Sequence, residues 1–466
     1  MKKITSVCLV LFMVLGMFAG TALAAAPAYT GEIDPDFAVM LIDADSGRVL
    51  HQQHENDPIK PASTTKIMTC LVALEHFSTL SDKVTIPPEG DWTNKSNNFS
   101  KLHTRNGEEM TVKDLLYGMM LASGDDAADA IAILVAGSIS GFVDMMNAKA
   151  QELGMTSTHF ANAGGLDKED PTVTVADMAK LSMNAMKNPD FRDIVKTFSY
   201  QMEETNKQKS RIVENTNVLL DPESNYYYEN CKGIKTGSTP KAGGCIVSAA
   251  SKNGMNLICL VYGESPSSNT ERWKTSKALY EWGFENYSTI DVAPLLEAAD
   301  PVQVQVENYS AEDSGKGMLE FKKPEAGTTF VTLDKTTADG LLNGTDKLVP
   351  TPTYNAELPL QAPVKKDDVL GSVAYSSEAT GEVVCTLDLI ASREIAEAGT
   401  VSGETAVTTL PPTPPKKDPG QGGGSVWYWL IIPVGLIAFL VVRLITTKRS
   451  KRFKKRTRPH YSYRIK

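Results

Sequence analysis

The sequence has few cysteines for its length and no paired cysteine motif. Six occur in 466 residues, and Cys8 lies in an N-terminal apolar segment. None of the others has C-x-x-C spacing, and several lie within apolar runs, which favours buried free thiols over a zinc site or a disulfide framework. A Cys231–Cys245 bridge is one pairing that the pattern leaves open. The cysteines outside the N-terminal segment are odd in number: Cys70, Cys231, Cys245, Cys259 and Cys385.

Long apolar runs are also scarce, and the first lies at the N-terminus. Residues 7–18 are mostly apolar, follow Lys2 and Lys3, and precede the small-residue sequence Ala22-Leu23-Ala24. A basic start, a short apolar stretch and an A-x-A site are typical of a secretory signal peptide, here predicted over residues 1–24. An uncleaved membrane anchor is the alternative.

The second apolar run lies near the C-terminus. Residues 426–442 are interrupted only by Pro433 and Gly435, and with Leu444 and Ile445 the run approaches the ~30 Å thickness of a bilayer core. We therefore predict a transmembrane helix over 426–445. The following tail, 446–466, is rich in Lys and Arg, so the positive-inside rule places it in the cytoplasm and the rest outside. A basic tail can also bind nucleic acid, but its position directly after a span favours the topological explanation.

Basic charge is scarce in the part of the chain between these segments. Removing Lys2, Lys3 and the eleven Lys and Arg residues from Arg443 onward takes the formal net charge from −9 to about −22. Such an acidic ectodomain argues against nucleic acid and anionic lipid as partners.

The chain between the two apolar runs shows two patterns and no internal repeat. Residues 30–290 have strand signals at both ends, including the turn Lys252-Asn253-Gly254-Met255, with helical stretches at 63–77, 112–122, 126–135 and 141–153 between them. This predicts an α/β domain with an all-helical insertion. Residues 300–396 show short alternating strands and predict a small all-β domain, and 397–425 have the Pro- and Gly-rich composition of a linker.

The first candidate for chemistry is the sequence Ser63-Thr64-Thr65-Lys66 at a predicted helix start. Residues at i and i+3 are neighbours on one helix face, so a hydroxyl and an amine lie together. The positive end of the helix dipole disfavours the charged amine, and a neutral lysine can act as general base for a serine nucleophile. Since S-x-x-K matches are common, Ser63 as a helix cap is the simpler alternative.

Two further motifs give the first one its specificity. Ser123-Gly124-Asp125 lies between two predicted helices, and Lys235-Thr236-Gly237 lies just before the late strands. The order S-x-x-K, S-x-N, K-T-G is typical of penicillin-binding proteins and serine β-lactamases.

The residues around these motifs resemble one family within that group, the serine-type D-alanyl-D-alanine carboxypeptidases, which are low-molecular-mass penicillin-binding proteins. The resemblance covers residues 30–396. It implies a transpeptidase/β-lactamase-like α/β domain followed by a β-sandwich. The matching segments are Pro61-Ala62-Ser63-Thr64-Thr65-Lys66-Ile67-Met68-Thr69, Asn215-Thr216-Asn217, Gly233-Ile234-Lys235-Thr236-Gly237 and Ala362-Pro363-Val364-Lys365-Lys366.

The resemblance implies a role for each motif residue. Ser63 attacks the carbonyl between two terminal D-alanines of a peptidoglycan stem peptide, Lys66 takes its proton, and Ser123 passes a proton to the leaving amine. The positive field of Lys235 assists, Thr236 binds the terminal carboxylate, and Arg272 supports that charge. The N–H groups of Ser63 and of Ser238, which follows Gly237, form an oxyanion hole. β-Lactam antibiotics then act as inhibitors, and no metal or cofactor is required.

One residue departs from the family pattern. Asp125 stands where the family has asparagine, and an ionised aspartate accepts hydrogen bonds but cannot donate one to a substrate carbonyl. Three explanations are open. A protonated Asp125 would restore the hydrogen-bond donor, whereas an ion pair of Asp125 with Lys66 or Lys235 would slow catalysis. If Asp125 is only a helix N-cap, the change from asparagine is harmless. Ser238 replaces a histidine common in the family, a milder change because only its N–H is used.

Three functions therefore remain open from the sequence. The first is an active carboxypeptidase, and the second is a non-catalytic protein that binds peptidoglycan or β-lactams. The third, a β-lactamase, needs a glutamate to activate the deacylating water, for which residues 163–175 offer only Glu169.

Overall fold

The computed structural model describes residues 27–96, 99–167, 170–322 and 330–399, all of which belong to one compact unit. The predicted signal peptide (1–24), transmembrane helix (426–445) and basic tail (446–466) lie outside the described residues. So do Glu169 and nearly all of the predicted linker (397–425).

A five-stranded antiparallel sheet forms the centre of the first region. Its strands come from both ends of that region, as the sequence predicts. Successive residues of the second strand in the sheet alternate between two cores, because Ala38, Met40 and Ile42 pack in one apolar cluster while Val39 and Leu41 pack in another. In sheet order the strands are Val49–Gln53, Ala38–Asp43, Met255–Glu264, Gly243–Lys252 and Cys231–Thr239.

The turn between the two longest strands has the predicted type. Asn253 and Gly254 have φ values of +52° and +82°, and positive φ at both central residues defines a type I′ hairpin turn. The turn fixes the register in which Lys252 lies opposite Met255.

Helices cover both faces of this sheet. One face carries the helix Glu271–Asn286, whose Trp273, Leu279 and Tyr280 belong to the second cluster. The other face packs against the apolar cluster of the insertion. The helices of the insertion are Lys66–His76, Val112–Leu121, Asp125–Ala136, Ile139–Glu152, Val175–Ala185 and Pro189–Lys196, with 3₁₀ turns at Ala62–Thr65, Pro88–Gly90 and Val218–Leu220.

The prediction that the insertion is all-helical is wrong. Two antiparallel strand pairs lie within it, Lys83–Thr85 with Glu109–Thr111 and Ser199–Met202 with Arg211–Glu214. Each of these strands has three or four residues, which is too short for a period of two to be recognised in the sequence.

The second region is built on strands, but the prediction that it is all-β is also wrong. The helix Lys335–Asn343 lies within it, capped by the Asp334 side chain at its start and by Gly344 at φ +75° after its end. Two threonines and a glycine lower the helix propensity of this segment, so the helix is indicated in the sequence only by its capping residues. The strands are Gln303–Glu307, Met318–Glu320, Phe330–Asp334, Leu348–Tyr354, Leu360–Gln361, Val369–Ser377 and Val383–Ile390, in three small sheets.

A strand pair and an ion pair join the two regions. Tyr287–Asp291 pairs antiparallel with Phe330–Asp334, and the short helix Ala293–Ala298 follows. Arg48 forms an ion pair with Glu382 and donates a 2.6 Å hydrogen bond to the Thr332 carbonyl. Burial raises the pKa of Glu382, with a further contribution from its hydrogen bond to Asp334. The junction is therefore held by backbone pairing and by one arginine.

Two smaller predictions can be compared with the described residues. All five cysteines outside the N-terminal segment are free, and Cys231 and Cys245 lie opposite Ala250 and Gly237 rather than each other, so the alternative bridge is absent. Within the described ranges no single helix has the length and apolarity of a membrane span, although the bent pair Asp125–Ala136 and Ile139–Glu152 passes by length and composition.

Candidate active site

The S-x-x-K motif spans a 3₁₀ turn and the first residue of a helix. Ser63 lies in the turn Ala62–Thr65 and Lys66 begins the helix Lys66–His76. The Lys66 Nζ donates a 3.1 Å hydrogen bond to the Ser63 Oγ, as the i, i+3 spacing predicts. The Ser63 side chain makes no capping hydrogen bond, so the simpler explanation of Ser63 as a helix cap is wrong.

Lys66 is fully buried and has three hydrogen-bond acceptors. Besides Ser63, its Nζ donates to the Asp125 Oδ1 at 2.6 Å and to the Gly164 carbonyl at 2.8 Å. The Asp125 side chain is only 4% exposed, so the pair is shielded from water. Three acceptors satisfy the three N–H groups of an ammonium, and one of them is the candidate nucleophile.

Of the alternatives for Asp125, the structure has the ion pair with Lys66. The helix Asp125–Ala136 begins at Asp125 itself, and its N-cap is Gly124, which offers no side-chain bond. The explanation of Asp125 as an N-cap is therefore wrong. Its carboxylate faces the general-base candidate, where negative charge stabilises the ammonium form.

The next residue has a different task. The buried Asp126 accepts backbone N–H groups of Leu102 (2.8 Å), Thr104 (3.1 Å) and Ala127 (2.9 Å). It thereby fixes the segment that runs beside Asp125, whose own N–H donates to the Ser100 carbonyl at 2.9 Å. Asp125 thus has a candidate functional role, whereas the adjacent Asp126 has a structural one.

Ser123 lies between the helices Val112–Leu121 and Asp125–Ala136 in a left-handed conformation, with φ +59°. Such a φ is uncommon for a residue other than glycine, and strain of this kind is concentrated at functional sites. Ser123 is buried, and its hydroxyl makes no hydrogen bond with another residue of the described ranges.

Lys235, in the strand Cys231–Thr239, is the second fully buried lysine of the site. Its Nζ donates a 3.0 Å hydrogen bond to the Thr236 carbonyl. Burial lowers the pKa of Lys235 well below its usual value, the charge of Lys66 lowers it further, and Asp125 partly opposes both. Burial of Lys235 thus works against the positive field that the resemblance implies for this lysine. A bound carboxylate would favour the charged form again.

Thr236 and Gly237 bring the same strand close to the nucleophile. The Thr236 hydroxyl shares a 2.6 Å hydrogen bond with the Thr216 hydroxyl. A Cβ atom on Gly237 would lie 2.8 Å from the backbone nitrogen of Ser63, so only glycine permits this approach. Ser238 follows and is exposed. The strand edge and the Ser63 turn therefore border one cleft.

Arg272 is buried beside the strand Gly243–Lys252. It forms an ion pair with the fully buried Glu264, donates to the Asn269 side chain at 2.8 Å, and stacks over Trp273 at 4.2 Å. Its charge is thus compensated by Glu264. Gly244, which pairs with Ser238 across the sheet, leaves the space that the guanidinium fills.

Three residues of this site carry no role in the sequence analysis: Gly164, Thr216 and Glu264. A Cβ atom on Gly164 would lie 2.8 Å from the Asp125 Oδ1, so the carbonyl reaches Lys66 only from a glycine. The pair Gly164-Gly165 is the sequence signal that could have indicated such a close approach. Thr216 lies in the quoted Asn215-Thr216-Asn217 segment, but nothing local connects it with Thr236, and nothing local connects Glu264 with Arg272.

The described residues contain no group of three His, Cys, Asp or Glu side chains that could hold a metal ion. The functional groups for which the structure gives contacts are those of two lysines, one serine, a threonine and an aspartate. Of the predicted site residues, Ser63, Lys66, Asp125, Lys235, Thr236 and Gly237 are joined by the contacts given above. Ser123 and Ser238 adjoin them in sequence, and Arg272 pairs with Glu264 instead.

Comparison with known proteins shows the family of the chain. A family model described as D-alanyl-D-alanine carboxypeptidase matches residues 23–265. The chain belongs to this family. Among curated members of the D-alanyl-D-alanine carboxypeptidases, the DacF protein of Bacillus subtilis is 30% identical over 86% of this chain and 97% of its own length.

Solved structures of related proteins share the fold. Penicillin-binding protein 5 of Haemophilus influenzae superposes with a TM-score of 0.63 at 25% identity, covering 79% of this chain and all of that one. The DD-transpeptidase of Streptomyces K15 gives 0.51 at 32% identity, covering 55% of this chain and all of its own. The described region of this carboxypeptidase-family chain thus has the penicillin-binding, β-lactamase-like fold.

Proposed function

We propose that this protein is a serine-type D-alanyl-D-alanine carboxypeptidase that removes the terminal D-alanine from peptidoglycan stem pentapeptides and binds penicillin. Family membership supports the reaction class. The observation that carries the assignment of the nucleophile is the 3.1 Å hydrogen bond between Lys66 Nζ and Ser63 Oγ, which is within the range expected of a nucleophile and its general base.

In the acylation step the Ser63 Oγ attacks the carbonyl carbon between the two D-alanines and its proton passes to the Lys66 Nζ. This transfer requires a neutral amine on Lys66. As the tetrahedral intermediate collapses, the C–N bond breaks, and Ser123 relays the proton held by Lys66 to the leaving nitrogen, which leaves Lys66 neutral again. Free D-alanine departs and Ser63 carries an ester of the shortened peptide.

The strand edge supplies recognition. The hydroxyl of Thr236, held by Thr216, binds the substrate carboxylate, and the carboxylate favours the charged form of Lys235. The backbone N–H groups of Ser63 and Ser238 stabilise the oxyanion, each donor contributing about 3–4 kcal/mol by analogy with other acyl transfers. Arg272, paired with Glu264, fixes the geometry of the neighbouring strand Gly243–Lys252.

Deacylation completes the cycle. Water adds to the ester carbonyl, the bond to Ser63 Oγ breaks, and the serine regains its proton. A β-lactam acylates Ser63 by the same attack, but its amide nitrogen stays tethered after the ring opens and does not leave the site.

One observation favours a second candidate, a non-catalytic protein that binds peptidoglycan or β-lactams. The 2.6 Å contact between Lys66 and Asp125 stabilises the ammonium form of the general base, and this opposes proton transfer from Ser63. The third function, β-lactamase, depends on Glu169, which lies outside the described residues.

The placement of the enzyme is part of the proposal. A signal peptide at 1–24 and a span at 426–445 put the catalytic region on the outer side of the membrane with the tail 446–466 in the cytoplasm. Ending the chain at residue 399 should release active protein from washed membranes. If the shortened protein stays in the membrane fraction, the C-terminal anchor is wrong.

The decisive experiment uses the full chain in detergent. D-Alanine release from diacetyl-Lys-D-Ala-D-Ala and labelling by a fluorescent penicillin are measured together for wild type and Ser63→Ala. Release and labelling in wild type, both absent in the variant, are expected for the carboxypeptidase. Labelling without release supports the non-catalytic protein, rapid turnover of the antibiotic supports a β-lactamase, and labelling of the variant at another serine would refute Ser63 as nucleophile.

A further inference from the structure

A cavity of about 860 Å³ opens at the end of the central sheet that carries the Asn253-Gly254 turn. It lies between this turn and the segment that contains the helix Pro189–Lys196, and Thr289 and Phe330 border it on the side of the second region. None of the residues assigned to the catalytic cleft lines it. Its volume is within the range of small-molecule sites.

The rim of this cavity is basic although the chain is acidic. Four cations line it, Lys187, Arg192, Lys196 and Lys232, against two carboxylates, Asp45 and Asp193. Both carboxylates have partners, since Asp193 pairs with Lys196 at 2.6 Å and Asp45 accepts the Asn256 amide at 2.8 Å. Two carboxylates against four cations therefore leave half of the positive charge uncompensated.

The remaining cations differ in how they are held. Arg192 donates to the carbonyls of Met186 (2.7 Å) and Lys187 (2.9 Å), which fixes its guanidinium at the rim. Lys187 and Lys232 are exposed, and neither side chain makes an ion pair or a hydrogen bond with another residue of the described ranges. Two lysines from different elements thus border one cavity with their charges available.

The wall below the rim is apolar. Met183 and Met186 contribute thioether side chains, which adapt to irregular ligands, and Phe330 is 53% exposed beside them. Buried residues of the two longest strands form the floor: Ala249, Ala250, Leu257 and Ile258. An exposed phenylalanine next to methionines is apolar surface that a ligand could cover.

We propose that this cavity binds a small organic anion in which one phosphate or carboxylate head is joined to a short alkyl segment. The head contacts Lys187 and Lys232, and the alkyl segment contacts Met183, Met186 and Phe330. Charge complementarity selects an anion, and the apolar wall selects an ester or acid with a hydrocarbon part over inorganic phosphate. The head group of a lipid and a soluble acidic ester share this chemistry.

The site is separate from the catalytic cleft but connected with it through one strand. Lys232 precedes Lys235 by three residues, or about 10 Å at the rise of a strand. Binding therefore has to be measured both before and after penicillin has occupied Ser63, because the catalytic cleft itself accepts carboxylates. The cavity should bind its ligand equally in both states.

The test titrates the full chain in detergent with hexyl phosphate, inorganic phosphate and hexanol at constant ionic strength, by calorimetry with detergent blanks. We expect one saturable site for hexyl phosphate, with inorganic phosphate and hexanol each at least tenfold weaker. Dihexanoyl phosphatidylglycerol is the further ligand. If this lipid also binds at the cavity, the natural ligand is a lipid head group. If only hexyl phosphate binds, the natural ligand is a soluble ester.

Variants connect the binding to the cavity. The double change Lys187→Gln with Lys232→Gln should weaken hexyl phosphate at least tenfold, while Lys209→Gln, an exposed lysine elsewhere, should not. Phe330→Ser should reduce the preference for hexyl phosphate over inorganic phosphate. Unchanged melting temperatures verify folding. The absence of saturable binding, or equal binding by the double variant and wild type, would overturn the proposal.

Discussion

The two regions of this molecule differ in what they bury. Among the described residues of the first region, ten charged side chains are buried: Asp43, Lys66, Glu108, Asp114, Asp125, Asp126, Asp177, Lys235, Glu264 and Arg272. In the described part of the chain from residue 300 onward, the buried polar side chains are all hydroxyls, those of Ser310, Thr332, Thr337 and Ser377.

This difference indicates that an apolar core alone is enough for stability, whereas the candidate active site needs buried charges. Burying a charge is costly unless partners compensate it, and the second region forms its apolar clusters without doing so. The first region buries Lys66 and Lys235 completely, in positions where a proton can move between them and a ligand. Other buried charges of the first region have structural partners. Asp126, for example, accepts hydrogen bonds from three backbone N–H groups.

The largest effect is expected from changing the buried general base. Lys66→Arg keeps the charge but should slow acylation by a β-lactam more than a hundredfold, because a guanidinium is not deprotonated in the working pH range. The stopped-flow rate of labelling by a fluorescent penicillin measures this. Acylation within about tenfold of wild type would show that Lys66 is not the base.

Asp125 and its neighbour provide a matched pair of changes. Asp125→Asn removes the negative charge that stabilises ammonium on Lys66 and adds an amide donor, so acylation should rise about ten- to a hundredfold, the worth of one charge-related hydrogen bond. Asp126→Asn should leave the acylation rate of the folded protein unchanged and lower its stability, because a carboxylate oxygen that accepts backbone N–H groups is replaced by a donor.

The outcome separates the two proposed functions. If Asp125→Asn raises the rate and Asp126→Asn does not, the ion pair with Lys66 restrains an active enzyme. Equal acylation rates and parallel profiles from pH 5 to 9 for wild type and Asp125→Asn would show that the aspartate has no part in catalysis.

These residues also show what the sequence can and cannot predict. Ser63 and Lys66 are neighbours because helical geometry alone brings i and i+3 together, and the strands flanking Asn253-Gly254 follow from local turn chemistry. The contacts of Lys66 with Asp125 and Gly164 span 59 and 98 residues. Such contacts depend on how helices pack, which no local pattern contains, and the same is true of Thr216 with Thr236.

A smaller effect should appear in stability as a function of pH. Burial raises the pKa of Asp129 to about 6, against the opposing charge of Lys95 and the hydrogen bond from Trp92. The folded state therefore favours the protonated carboxyl, a contribution that is complete below about pH 4, the value for an unfolded aspartate, and is lost as pH rises through about 6.

Asp129→Asn keeps a neutral side chain at this position at every pH. Relative to wild type, the variant should gain about 1–3 kcal/mol in free energy of unfolding between pH 4 and pH 7. Urea denaturation at both pH values gives the comparison. A difference between the proteins that does not change with pH would show that Asp129 ionises normally in the fold.

The smallest effect is expected at the junction of the regions, where charge lies at the border rather than in a core. Arg48→Met retains an apolar stem but removes the ion pair with Glu382 and the hydrogen bond to Thr332, at a cost of about 1 kcal/mol in stability. Acylation should be unchanged. Arg393→Met, which removes a pair within the second region, is the control, and a reduced acylation rate for Arg48→Met alone would indicate that the junction influences the cleft.

The pairing of Ala38–Asp43 with Met255–Glu264 sets the order in which the chain can fold. The strand Ala38–Asp43 pairs on one edge with the nearby Val49–Gln53, but its other edge finds its partner only after more than 200 residues have been made. Closing such a loop costs about 2 kcal/mol more entropy than closing one of 20 residues. Contacts this distant in sequence slow folding. The nucleophile turn lies against Cys231–Thr239, a strand that joins the sheet only through Gly243–Lys252. The site is therefore completed late, and a chain interrupted before residue 231 cannot be acylated.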